Sequence, residues 1–204
     1  MASSVAIADV NGDGNLDLVV TNQCLDSTCA GGGVGVLLGN GDGTFRAAQS
    51  YATGGFTAVS VAIGNFNEDR KPDLAVVNQC QTRQNCEGNV GVLLGNGDGT
   101  FQAAQSYASG GYTAVSVAVG DFNGDHKTDL VVANQCQSSG NCGNGNVGVL
   151  LGMGNGTFAP AQDFASGGNN TAAVATGDFN PDGRTDLVLT NQCQRLKTIA
   201  VRAM

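Results

Sequence analysis

Residues 65–101 read NFNEDRKPDLAVVNQCQTRQNCEGNVGVLLGNGDGTF, and the return of this phrase decides the fold. Residues 121–158 restate it as DFNGDHKTDLVVANQCQSSGNCGNGNVGVLLGMGNGTF. Upstream, residues 9–45 read DVNGDGNLDLVVTNQCLDSTCAGGGVGVLLGNGDGTF. A fourth copy opens at Asp178 and runs to Cys193. The cysteine of NQC falls at Cys24, Cys80, Cys136 and Cys193, at intervals of 56, 56 and 57. Phe45, Phe101 and Phe158 keep the same step, with one extra residue between Cys142 and Val147. The chain therefore divides into repeats 1–55, 56–111 and 112–168, with a partial fourth at 169–204. A period of this length marks one supersecondary unit that buries its apolar faces on its neighbours.

Inside the unit, four short strands are expected. They are Val59–Ile63, Leu74–Val77, Val90–Leu94 and a fourth from about Phe101 to Tyr107. Each is β-branched or apolar and bounded by Gly, Asn or Asp. Asn96-Gly97-Asp98-Gly99 between the last two is a hairpin signal, because Asn-Gly and Asp-Gly tolerate positive φ. No stretch holds a 3.6-residue apolar period, so almost no helix is expected. The first three strands are apolar throughout rather than alternating, which calls for cover on both faces. Four antiparallel strands covered on both faces describe a β-propeller blade, so the fold class is all-β, an incomplete propeller. A solenoid is the weaker alternative, since 56 residues is long for one coil, and a β-sandwich leaves the repeat unexplained.

Composition narrows the function classes. Of 204 residues, 9 are Lys or Arg and 17 are Asp or Glu, for a net charge of −8. Such a chain lacks the basic field that nucleic acid or an anionic membrane requires. No run of 18 apolar residues exists, so no membrane insertion is expected. The N-terminal residues show neither the basic start nor the apolar run of a signal peptide.

Acidic residues are concentrated in four nine-residue loops after the first strands. These hold 11 of the 15 Asp. Their side-chain oxygens fall at positions 1, 3, 5 and 9, and a backbone carbonyl at position 7 would add another. The candidate ligands are Asp9, Asn11, Asp13, Asn15 and Asp17, and Asn65, Asn67, Asp69, Lys71 and Asp73. The third and fourth loops offer Asp121, Asn123, Asp125, Lys127 and Asp129, and Asp178, Asn180, Asp182, Arg184 and Asp186. At Asn15, Lys71, Lys127 and Arg184 the ligand is the main chain, so their side chains are free to vary. An all-oxygen set suits Ca2+, a hard cation that takes six to eight oxygens. This is not an EF-hand, because position 12 is Val20, Val76, Val132 or Leu189 where a bidentate Glu belongs. Four Ca2+ would carry the charge from −8 to 0. Loop 65–73 has Asn65 in place of Asp and Arg70 at a turn held elsewhere by Gly14 and Gly183, so it should bind most weakly.

Catalysis is not expected. The single histidine, His126, occupies that same turn position in the third loop, with no nucleophile or base recurring beside it. Carboxylates that recur at one spacing in every repeat suit structural metal better than a single glycosidase pair. The Gly-rich runs lack the Lys-Ser/Thr and the helix of a phosphate loop.

The phrase VAVGDFNGDHKTDLVVAN (117–134), followed by VGVLLGMGNGTF (147–158), resembles the VCBS/FG-GAP repeat family. It is similar to the calcium-loop blades of integrin α-subunit propellers, and the resemblance covers residues 3 to 193. It implies propeller blades with calcium between the first two strands. It also implies adhesion, sugar recognition as in fungal lectins, or an accessory role in secreted proteins. Such repeats usually close seven-bladed rings, which three and a half repeats cannot do. After Cys193 the text changes to QRLKTIAVRAM. A fragment of a longer secreted protein, or a truncated reading frame, is therefore expected, with blade faces exposed for self-association.

Seven cysteines occur as Cys24/Cys29, Cys80/Cys86, Cys136/Cys142 and Cys193. Each pair brackets the loop between second and third strands. Local disulfides are the favoured reading, with zinc or free thiols as alternatives. Disulfides and calcium loops both point to an extracellular setting. The repeat joins read SYATGGF (50–56) and SYASGGY (106–112). Tyr51, Phe56, Tyr107 and Tyr112 are the candidate ligand-binding aromatics, for a carbohydrate or a protein. Packing between blades is the simpler role for large aromatics.

Overall fold

Asp, Asn and Gly interrupt the apolar runs at such short intervals that only strands form. The computed structural model describes residues 1–140 and 142–192. Among them the first repeat holds β1 (Ala2–Ala8), β2 (Asp17–Asn22), β3 (Gly33–Leu37) and β4 (Gln49–Ala52). The second holds β5 (Phe56–Gly64), β6 (Asp73–Cys80), β7 (Glu87–Leu93) and the start of β8 (Gln105–Gly120). The third uses the rest of β8, then β9 (Asp129–Cys136), β10 (Asn146–Leu150) and β11 (Gln162–Ala165). β12 (Thr171–Gly177) and β13 (Asp186–Asn191) open the fourth. No helix occurs among the described residues.

Every pairing is antiparallel. β1-β2-β3-β4 form one meander, and β12-β13 form a hairpin. The second and third blades make one seven-stranded sheet because β8 serves both. Its first part pairs with β7, as in Tyr107↔Val90, and its second part pairs with β9, as in Val117↔Val132. The repeat boundary at 111/112 thus lies inside a strand. The fourth strand of the second blade begins at Gln105, not at Phe101. Phe101 forms only an isolated bridge with Gly95, and its ring is buried in the core between blades.

The core sits between blades. Val10, Val19, Val34 and Val36 meet Val61, Leu74, Val76, Leu93 and Phe101. Ala75, Val77, Val90 and Val92 face the other way and meet Val117, Leu130, Val132, Leu150 and Phe158. Val131, Ala133 and Val147 then meet Val174, Leu187 and Leu189. Adjacent residues of β6 therefore feed opposite cores, which is why the strand reads as unbroken hydrophobic sequence. Cover on both faces holds for β6, β7, β9 and β10. It fails for β1, where Val5 is 57% and Ile7 is 59% exposed.

Three disulfides close the loops between second and third strands: Cys24–Cys29, Cys80–Cys86 and Cys136–Cys142. Cys193 lies outside the described residues.

Candidate functional site

The acidic loops wind as successive Asx turns, in which each side-chain oxygen accepts the amide two residues on. In the first loop Asn11 N donates to Asp9 Oδ1 at 3.3 Å, Asp13 N to Asn11 Oδ1 at 3.0 Å, and Asn15 N to Asp13 Oδ1 at 2.8 Å. Asp9 also takes the Gly12 and Gly14 amides. The third loop repeats this. Asp121 accepts from Gly124 and His126, Asn123 from Asp125, and Asp125 from Lys127. In the fourth, Asp178, Asn180 and Asp182 accept in the same order. His126 has a φ of +63° and Arg70 one of +66°, matching Gly14 at +83° and Gly183 at +80°. The turn role read for His126 is thus its observed role. Its ring is exposed, 3.8 Å from the Asp121 carboxylate.

Position 9 does something the sequence did not reveal. Asp17, Asp73 and Asp129 are wholly buried, and each carboxylate is held by two backbone amides. For Asp17 these are Val10 N at 2.9 Å and Gly39 N at 2.7 Å. For Asp73 they are Phe66 and Gly95, and for Asp129 they are Phe122 and Gly152. Asp186 takes the Phe179 amide. Asp17, Asp73 and Asp129 are hubs, each tying its own loop to the glycine at the head of the following hairpin. Burial pushes the Asp73 and Asp129 carboxyls above their ordinary range, against the pull of the amides. At position 5 the balance reverses: the Asn15 amide lowers Asp13 and the Lys127 amide lowers Asp125.

The donor set suits a hard cation in its chemistry. Every candidate side-chain ligand is a carboxylate or amide oxygen, and an sp² oxygen keeps a lone pair after one amide is served. One atom bears on this directly. Asn65 Oδ1, at position 1 of the second loop, is buried without a hydrogen-bond partner, whereas the aspartates at that position accept loop amides. Among the described residues no group of three or more His, Cys, Asp or Glu converges to hold a metal. Position 3 is Asn in every loop and position 9 faces amides, so any ion held here would depend on amide and main-chain oxygens as well.

The candidate aromatics divide. Tyr51 and Tyr107 stand edge-on to Phe101 and Phe158, with ring centres 5.7 and 5.5 Å apart, so both have a packing role. Phe56 lies under the Arg83 guanidinium at 5.3 Å. Tyr112 lines an open cleft of about 600 Å³ with Tyr107, Glu87, Gln137, Pro160 and Asp163. The joins are clasped by residues the sequence reading passed over. Thr53, Ser109 and Ser166 hydroxyls donate to Asn78, Asn134 and Asn191 of the following repeat. The asparagine of the NQC phrase was the available signal.

No curated protein matches this chain. The FG-GAP-like repeat family does match, over residues 9–76, 65–132 and 138–189. The first two segments each run from one acidic loop through the next, so the unit the family defines contains the hub, the hairpin and the join described above. With most of the sequence covered, the chain belongs to the FG-GAP-like repeat family and is built as a β-propeller-like repeat module.

Proposed function

We propose that this chain is a calcium-binding extracellular module that holds a protein or carbohydrate ligand at its blade joins. Calcium acts as a structural staple in up to four loops and does no chemistry. The observation that carries this is the recurrence of one oxygen-rich loop, wound by the same Asx turns, beside a buried hub aspartate. Asp9, Asn11 and Asp13, with the Asn15 carbonyl and Asp17, would hold the ion in the first loop, and their equivalents in the others. Binding there would fix the loop between two strands whose packing forms the inter-blade core. Three disulfides support an extracellular setting. Among the described residues no helix is long and apolar enough to cross a membrane. Exposed Val5 and Ile7 support self-association through the β1 face.

A lectin-like reading is favoured by the cleft at Tyr107 and Tyr112, since aromatic faces stack on sugars. A non-catalytic accessory role in a secreted enzyme is the remaining alternative. Titration calorimetry of chelator-treated, oxidised protein with Ca2+ tests the metal reading. Binding at three or four sites, with the Asp69→Ala variant losing the weakest, supports it. Absence of binding heat and of any loop chemical-shift change at millimolar Ca2+ rejects it.

A further inference from the structure

The third hairpin departs from the other two at two positions. Residues 39–45 and 95–101 both read GNGDGTF, whereas residues 152–158 read GMGNGTF. Met153 stands where the others have Asn40 and Asn96, and Asn155 where they have Asp42 and Asp98. The second change creates Asn155-Gly156-Thr157, an Asn-Xaa-Thr triplet. Such a triplet is the acceptor for N-linked glycans on the surfaces of secreted proteins. One other Asn-Xaa-Thr occurs, at Asn169-Asn170-Thr171.

The two triplets differ in what the fold leaves accessible. Asn155 is exposed, and Thr157 donates to its Oδ1 from both amide and hydroxyl, at 3.0 and 2.6 Å. The Thr157 amide can only donate, so the bonded atom is the oxygen and the Nδ2 group is not spent on the turn. The folded hairpin thus holds the acceptor amide against the hydroxyl that makes the triplet recognisable. Asn40 and Asn96 donate to the Thr44 and Thr100 hydroxyls, each at 2.9 Å. Met153 cannot do this, so the Thr157 hydroxyl oxygen receives no such bond. The Met153 amide donates to the Thr157 carbonyl at 3.0 Å across the turn, and the residue is 53% exposed. It offers apolar surface beside the acceptor, suited to the carbon face of a sugar. The backbone beneath is anchored, because the Gly156 amide donates to the Phe66 carbonyl of the second blade at 2.8 Å. In the other triplet Thr171 is wholly buried, and its hydroxyl donates to Asn191 Oδ1 at 3.1 Å. That hydroxyl is closed to an enzyme in the folded chain.

We propose that Asn155 is an N-glycan attachment site of the folded chain and that Asn169 is not. The donor is an oligosaccharide joined through a diphosphate to a polyprenyl lipid. Asn155 Nδ2 gives one proton to a base of the transferase and forms a bond to the anomeric carbon of the sugar. The bond from that carbon to the diphosphate oxygen breaks, and the lipid diphosphate leaves. Nothing is oxidised or reduced. β10 runs from Asn146, which bonds Gly110 of the join, to this hairpin, so the glycan sits at the far end of the blade from the joins. The proposal rests on the extracellular reading above, because the secretory route is where the lipid-linked donor is met.

The test incubates the oxidised, folded full chain with a single-subunit eukaryotic oligosaccharyltransferase and a polyprenyl-diphosphate oligosaccharide, and maps the product by peptide mass spectrometry. A short Asn-Xaa-Thr peptide in the same reaction reports that the enzyme is active. The expected product carries one glycan, on Asn155, and none on Asn169. Thr157→Ala and Asn155→Asp are each expected to abolish it, and Thr157→Ser to retain it in part. Asn155→Asp installs the residue of the other two hairpins, so its melting temperature should match the parent and show that the fold is intact. Met153→Asn, which returns a donor to the Thr157 hydroxyl, is expected to lower occupancy. An unmodified Asn155 while the short peptide is consumed overturns the proposal, as does a glycan mainly on Asn169 or one that survives Thr157→Ala. Thiol alkylation of the same protein separates this outcome from failure of the extracellular reading. Protected cysteines in the three loops with an unmodified Asn155 overturn the glycan site alone. Free thiols at those cysteines after air oxidation overturn the setting on which it rests.

Discussion

The Gly39 amide donates a 2.7 Å hydrogen bond to the buried Asp17 carboxylate, 22 residues earlier in the chain. Asp73–Gly95 and Asp129–Gly152 repeat the bond at 2.8 and 2.7 Å. The approach is close enough that a Cβ on Gly39, Gly95 or Gly152 would strike the carbonyl oxygen of Leu16, Pro72 or Thr128. This one contact explains why the acidic loop and the Gly-headed hairpin travel together. The carboxylate supplies two acceptors to amides that no water can reach, and glycine is required for the backbones to meet.

Asp73→Ala should therefore be far more damaging than an Asp→Ala change on the loop surface. It leaves the Phe66 and Gly95 amides buried and unpaired, at about 1–3 kcal/mol each. Urea denaturation should show a loss of about 2–5 kcal/mol, and Asp73→Asn, which keeps one acceptor, a smaller loss. A loss below about 1 kcal/mol for the alanine variant would refute the hub role.

The second loop should be strained. Arg70 and Glu68 both have left-handed backbone, at +66° and +61°. Such a conformation costs a side-chain-bearing residue about 1–2 kcal/mol. Arg70→Gly should raise stability by up to about 1 kcal/mol in calcium-free buffer, once glycine's greater unfolded-state entropy is subtracted. Thermal unfolding checks this, and a lower melting temperature would count against it.

Acid should act partly through the hairpins. The Thr44 hydroxyl and amide hold the Asp42 carboxyl below its ordinary value of 3.8, and Thr100 does the same for Asp98. Because the folded values are depressed, the stabilisation is fully present above about pH 3.8 and is lost as pH falls through them. The third hairpin has Asn155 at this position, and it accepts the same two bonds from Thr157. The double variant Asp42→Asn, Asp98→Asn should keep its neutral melting temperature and lose less stability than the parent between pH 4 and 2. Identical acid limbs would show that the hairpin bonds do not contribute. Asp73 and Asp129 have raised folded values, so their contribution runs the opposite way and declines as pH rises above 3.8.

Much of the architecture was legible because the repeat exposed it. The repeat itself, the hairpin turns, the cysteine pairing and the His126 turn all follow from residues compared across copies. The fourth strand was misplaced because Phe101 is apolar and flanked by turn residues, and hydropathy cannot tell a buried bridge residue from a strand start. A bulge at the head of each blade's first strand was also hidden. Thr57 and Thr113 take φ values of +62° and +54°, which β-branched residues rarely adopt. Only Asn170, their counterpart at +49°, belongs to a type that announces such a turn. At position 9, an aspartate that ligates an ion and one that caps amides look the same in sequence. Burial and the Gly39 contact establish the amide-accepting role of Asp17.

Calcium is proposed to staple these loops to the folded state. The most direct test is thermal unfolding of the oxidised chain with excess Ca2+ and with chelator. Ca2+ at a hundred times its Kd should stabilise by about 2.7 kcal/mol for each occupied site. The expected result is a large upward shift in melting temperature that Mg2+ does not reproduce. Identical melting curves with calcium and with chelator would contradict it, and would leave the loops as Asx turns organised by amides and hub aspartates alone.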